Sequence, residues 1–128
     1  LFSHLAPTVQ TVLWSGDSDN GDLSLSVSIN NFDALMFIFS TNDHSPSTGG
    51  EWRYSVIPVW VLRKIITDHD FFGLSEDYFN LCQDDVNWWF IDVANSTTTL
   101  LKHHADNTVH MWRVVGLRFT TTVTPENG

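Results

Sequence analysis

The segment Asp22-Leu23-Ser24-Leu25-Ser26-Val27-Ser28-Ile29 decides the fold class. Leucine, valine and isoleucine alternate with serine at period two. Only an extended strand places every second side chain on one face. One face is therefore apolar and the other wet, as in a half-buried strand of an antiparallel sheet. Upstream, residues 9–15 contain Val12-Leu13-Trp14 and read as another strand. Between the two lies Gly16-Asp17-Ser18-Asp19-Asn20-Gly21. Asn20-Gly21 is a favoured turn pair because both residues tolerate positive φ, so an antiparallel hairpin is expected here.

Downstream, Ala34-Leu35-Met36-Phe37-Ile38-Phe39 is an apolar run of strand length, expected to be buried on both faces after a turn at Asn31-Phe32-Asp33. Residues 41–50 are loop by composition. Residues 52–58 read as a strand with Trp52, Tyr54 and Val56 on one face. Residues 59–66 fit a strand or a short helix, and periodicity does not decide between them. Residues 68–75 form a second loop, and 78–82 are ambiguous. Residues 87–93, aromatic and β-branched, predict a strand; 95–99 are a polar connector and 99–103 a strand candidate. Residues 109–119 predict a long closing strand with Gly116 as a bulge. No stretch carries a persuasive helical stripe. Seven or more short strands separated by turns predict an all-β fold, an antiparallel β-sandwich.

Composition narrows the function. A chain of 128 residues is the size of one domain with a single core. Nine Phe and six Trp exceed what that core needs, so aromatic surface is expected to be exposed or to lie between subunits. A net charge of −9, with six Lys and Arg, argues against nucleic acid and anionic membranes. A neutral glycan or a protein partner fits better. The single cysteine, Cys82, forbids an intrachain disulfide and reads as a small buried hydrophobe. No apolar run approaches the ~18 residues of a membrane span, so no membrane insertion is expected. The first seven residues have no basic region typical of a signal peptide and read as the interior of a longer protein.

Val12-Leu13-Trp14-Ser15-Gly16, followed by the serine-alternating strand from Leu23 to Ile29, Asn31-Phe32 and an apolar strand, resembles the C-terminal domains of bacteriophage tail fibres. In that family an "LWSG" strand precedes a hairpin, and a strand similar to "I-x-x-I-I-G-I-K" closes the domain. Here the closing strand is Met111-Trp112-Arg113-Val114-Val115-Gly116-Leu117-Arg118. The likeness covers the first forty residues and the last ten of the domain. The middle, from about Thr41 to His110, carries none, as expected where variable loops sit on a fixed scaffold. Similar fibres often stop just after the closing strand, so the tail 120–128 departs from the pattern. The resemblance implies a homotrimer at the distal end of a fibre in the virion, recognising a bacterial surface polysaccharide or outer-membrane protein. On that reading residues 1–7 lead in from a longer fibre, 8–119 form the sandwich tip and 120–128 a tail.

Candidate receptor contacts follow from aromatic and polar groups near loops. Trp88 and Trp89, as strand neighbours, point to opposite faces, so one indole is free to stack on a sugar or pack on another subunit. Asp84, Asp85 and Asn87 lie beside them and can hold hydroxyl groups. Trp52 and Tyr54 share a face after the 41–50 loop, with Arg53 on the other; ordinary strand packing accounts for them equally well. His103 and His104 complete the set, yet adjacent strand histidines diverge and cannot chelate one ion together. Asp17, Asp19, Asn20 and Asp22 supply oxygen ligands but read as a solvated turn, because Gly21 stands where an EF-hand needs a ligand. No metal and no cofactor are expected. Enzyme motifs are lacking: there is no G-x-S-x-G and no H-E-x-x-H, and Asp84-Asp85 would face apart on a strand rather than across a glycosidic bond. The expectation is a binding protein. A stand-alone carbohydrate-binding module and a structural virion protein without ligand are the alternatives.

Overall fold

A computed structural model of the chain describes residues 7–18, 20–41, 51–70, 78–83, 88–105 and 109–119. The described residues are mostly β, forming two four-stranded antiparallel sheets with one α-helix. The strands are β1 (Pro7–Ser18), β2 (Asn20–Ser24), β3 (Ala34–Thr41), β4 (Glu51–Pro58), β5 (Tyr78–Gln83), β6 (Trp88–Asp92), β7 (Leu100–Ala105) and β8 (His110–Phe119). The helix α1 (Val59–Ile66) lies between β4 and β5. One sheet runs β1-β8-β3-β4 and the other β2-β7-β6-β5.

The core follows from alternation on both sheets. Leu35, Phe37 and Phe39 of β3 and Met111 and Val114 of β8 come from the first sheet. Leu23, Ile91 and Leu101 of β2, β6 and β7 come from the second and join the same buried cluster. Fully burying one such side chain contributes roughly 1.5–3 kcal/mol, so this shared cluster dominates the stability.

The expected β1–β2 hairpin does not form. β1 pairs with β8 and β2 with β7, in different sheets. Both Leu13 and Leu23 are buried in the common cluster, an outcome reached by placing their strands in separate sheets. Gly21 does take positive φ, at 109°, but within β2. The serine-alternating segment leaves the ladder after Ser24, although Leu25 and Ile29 remain buried. A bulge makes Leu13 the extra residue of β1, and its carbonyl accepts the Ser26 N–H at 2.9 Å. That bond ties β1 to the chain that has just left the opposite sheet.

Residues 59–66, which fit either a strand or a short helix by sequence, are a helix. Val59, Leu62 and Ile65 are its buried residues, a spacing of three that suits a helix and not a strand. Pro58, at φ −62°, ends β4 and caps α1, because it cannot donate to a ladder. Asp33 accepts the Val59 N–H at 2.9 Å through its carbonyl, and its carboxylate accepts the Phe119 N–H at 2.8 Å. One residue thus fastens the helix start to the end of β8.

The bulge in β8 is not at Gly116. Gly116 pairs regularly with Leu35 and Thr11. Its hydrogen is required because the Phe32 ring lies against it: a Cβ there would sit 2.7–2.8 Å from three ring carbons. The irregularity falls at Trp112 instead. Arg113 pairs with Ile38 and Met111 with Phe39, leaving Trp112 as the extra residue.

Candidate functional site: an aromatic cleft on the outer face of the first sheet

The strand β3 shows the two faces of its sheet. Leu35, Phe37 and Phe39 point into the core, whereas Met36 and Ile38 are half-buried on the opposite side. Residues opposite one another across antiparallel strands share a face. Register therefore places Val56, Tyr54 and Trp52 of β4 beside Met36, Ile38 and Ser40. Val115 and Leu117 of β8 extend this outer face beside Met36 and Ala34. Trp52 is 47% exposed, Tyr54 72% and Val56 48%. The predicted sharing of one face by these three side chains thus describes an outward face on an edge strand, and ordinary core packing does not account for them.

The β8 bulge makes this face concave. A bulge sets consecutive side chains on one side of the sheet and re-aims them, and here both Trp112 and Arg113 line the outer face. On the β1 side the ladder is also irregular, with Gly16 and Asp17 between the pairs Ser15–Arg113 and Ser18–Met111. The result is a cleft of about 350 Å³ lined by Ser15, Gly16, Ile38, Trp52, Trp112 and Arg113. All four strands of the sheet contribute to it.

Trp112 is held from three sides. Its indole N–H donates to Ser40 Oγ at 2.8 Å. Its ring stacks on His110, with centroids 5.7 Å apart and planes 11° from parallel. His110 Nδ1 in turn lies 2.9 Å from Asp17 Oδ1. Trp52 approaches Trp112 with centroids at 6.2 Å and planes tilted by 55°. The two indoles form an angled wall, and Arg113 lines the same cleft. A side chain fixed this way loses little rotamer entropy when a ligand lands on it.

The other expected contacts are distributed differently. Arg53 is half-buried on the face opposite Trp52 and Tyr54. Trp88 and Trp89 open β6, with Trp88 paired to Gln83 and Trp89 to Cys82 and Ala105. The reading of one indole inward and one outward concerns side chains outside the described residues, as does the burial expected of Cys82. Asp84, Asp85 and Asn87 also lie outside the described residues. His103 and His104 fall inside β7 rather than in a loop, and they do diverge. His103 is fully buried with its Nε2 2.9 Å from Ser18 Oγ, a bond that joins the two sheets. A ligand outside the protein cannot reach that ring. His104 is half-buried on the other face.

Asp19 of the acidic turn lies outside the described residues. Asp17 turns to His110, and Asp22 meets Lys102 Nζ at 3.1 Å. Among the described residues no group of three or more metal-ligating side chains comes together. No helix among them is long and apolar enough to cross a membrane.

Trp112, Arg113, Ser15, Gly16 and Ile38 were not singled out by sequence reasoning. Trp112-Arg113 repeats the Trp-Arg pairing of Trp52-Arg53, which was the available signal. Inside an apparently regular strand that pair predicts opposite faces, and only the bulge brings it to one face. Compared with models of known protein families and with curated proteins, the chain matches none.

Proposed function

We propose that the chain is a β-sandwich receptor-binding module, the tip of a bacteriophage tail fibre, which holds a bacterial surface glycan or outer-membrane protein during host adsorption. The observation that carries this reading is the Trp52–Trp112 cleft on the outer face of the β1-β8-β3-β4 sheet. Rigid, half-exposed indoles beside a guanidinium group are the residue types that dominate binding energy at recognition surfaces. The chain's net charge of −9 disfavours polyanionic partners such as nucleic acid and leaves glycan or protein surfaces. The resemblance of the first forty and last ten residues of the domain to tail-fibre tips supplies the biological setting.

In this reading the chain works as a homotrimer. The rest of the outer face offers Val12 and Val56, both 48% exposed, with Met36 half-buried between them, as apolar surface that sister subunits would cover. Three weak sites acting together raise effective affinity by ~10²–10⁴. All the lining residues come from a single sheet, so a monomer could form the cleft, which admits a second reading: a carbohydrate-binding module acting as a monomer. Sedimentation mass in solution separates the two. Binding of the labelled protein to whole bacteria, compared with receptor-deficient derivatives, and inhibition of phage adsorption by free protein then test the tip reading. A trimer that binds no bacterial cell and blocks no phage would leave it without support.

A further inference from the structure

We infer that the cleft selects an acidic sugar, a pyranose ring bearing a carboxylate. The inference rests on the reading of the cleft as a glycan site and names the class of glycan. It begins with Arg113. In a chain with 15 Asp and Glu against six Lys and Arg, a surface cation has abundant acidic partners. Lys64 meets Asp70 at 3.9 Å and Lys102 meets Asp22 at 3.1 Å. Among the described residues, neither Arg113 nor Arg63 meets a carboxylate within ion-pairing distance, and of the two only Arg113 lines the Trp52–Trp112 cleft. The nearby acid on β1, Asp17, is engaged by His110 on the same strand as Arg113. Arg113 lines the cleft, and a guanidinium group carries two donors on one edge suited to a bidentate carboxylate.

The walls supply the other half of the recognition. The C–H face of a pyranose is apolar and stacks on indole faces, and Trp52 and Trp112 present two such faces at an angle of 55°. Ser15 adds a hydroxyl at the β1 side of the cleft for a ring hydroxyl. The volume of about 350 Å³ lies at the small end of ligand sites, ~300–1,000 Å³, which suits a single sugar residue of a longer polymer. The net charge of −9 favours a neutral glycan overall, and Arg113 makes the cleft a local exception: one carboxylate needs one cation, whereas a nucleotide or phosphate polymer would bring several negative charges.

The test is a titration of the full chain with methyl β-glucuronide, its neutral methyl ester and methyl β-glucoside. The indole N–H signals in a ¹H–¹⁵N spectrum are the readout. The free acid is expected to shift the Trp52 and Trp112 signals and to bind about tenfold or more tighter than either neutral sugar, the effect of one charge-assisted hydrogen-bonded pair. Arg113→Gln should bring the acid-to-ester ratio close to one, Arg113→Lys should keep part of it, and Trp60→Ala on the helix should leave it unchanged. Equal binding of the acid and its ester overturns the acidic-sugar inference and leaves the cleft as a glycan site. A failure of all three sugars to move either signal overturns both, as does displacement at these indoles by a proline-rich peptide alone.

Discussion

Gly116→Ala tests the packing of the fold where a described glycine lies hardest against a neighbouring ring. The new methyl group would lie 2.7 Å from Phe32 Cδ1 and Cγ and 2.8 Å from Cδ2. Cγ is fixed close to the backbone, so the ring cannot swing its far end aside. Phe32 is also buried in the main cluster, which leaves it little room to retreat. Overpacking of this kind costs about 1–3 kcal/mol. Gly116 does not have positive φ, so no backbone strain adds to that cost. The lower entropy of the unfolded alanine chain returns about 0.4–1 kcal/mol. The net loss should be about 1–2 kcal/mol, a fall in Tm of about 4–8 °C for a domain of this size. Urea denaturation followed by tryptophan fluorescence reads it directly. Phe32→Leu, which removes the planar ring, should make Gly116→Ala cost at least ~1 kcal/mol less than it does in the parent. A Gly116→Ala protein within ~0.5 kcal/mol of the parent, or strictly additive double-mutant energies, would refute the contact.

Three further outcomes are expected. Leu62→Ala, on the buried face of α1, should destabilise the fold by about 2–5 kcal/mol in the same denaturation assay, because Leu62 is fully buried. Ser18→Ala should cost about 1–2 kcal/mol, since it removes a partner of the buried His103 ring where the two sheets meet; Ser24→Ala, on an exposed β2 position, should cost within ~0.5 kcal/mol. His110→Ala should loosen Trp112, broadening its indole signal and weakening ligand binding severalfold while the core stays intact.

The legible part of this fold was whatever depends on side-chain alternation. Leu23 and Leu25 are buried and Ser24 and Ser26 exposed, as period two requires. Trp52, Tyr54 and Val56 do share a face, and the surplus of aromatic residues does emerge at the surface at Trp52, Tyr54 and Trp60. Alternation says nothing about which strands are neighbours. The Asn20-Gly21 pair is compatible with a hairpin, but β1 and β2 each join a strand some eighty or more residues away. The helix was obscured because Val59, Val61, Ile65 and Ile66 are β-branched; the spacing of Val59, Leu62 and Ile65 and the Pro58 boundary outweighed local preference. The burial of Ala34-Leu35-Met36-Phe37-Ile38-Phe39 on both faces held fully only for the inner one.

The cleft was the least legible feature, for a specific reason. A single slipped residue, Trp112, reverses the face that a regular strand would assign to its neighbours. The closing strand was expected to bulge at Gly116, four residues too late, because glycine signals either a bulge or a close approach and here it is the second. The expected contact at His103 failed for the complementary reason: it sits in the middle of a paired strand, where one of two neighbours must face the core, and His103 rather than His104 is the one that does.

The central claim is that ligand is met on the outer face of the β1-β8-β3-β4 sheet. The chain has six tryptophans, so assignment of their indole N–H signals divides its surface among named reporters. The decisive measurement is a titration of the labelled protein with surface polysaccharide extracted from bacteria that it binds. The account predicts shifts at Trp52 and Trp112 with Trp60 unmoved; shifts confined to Trp60, Trp88 or Trp89 would contradict it.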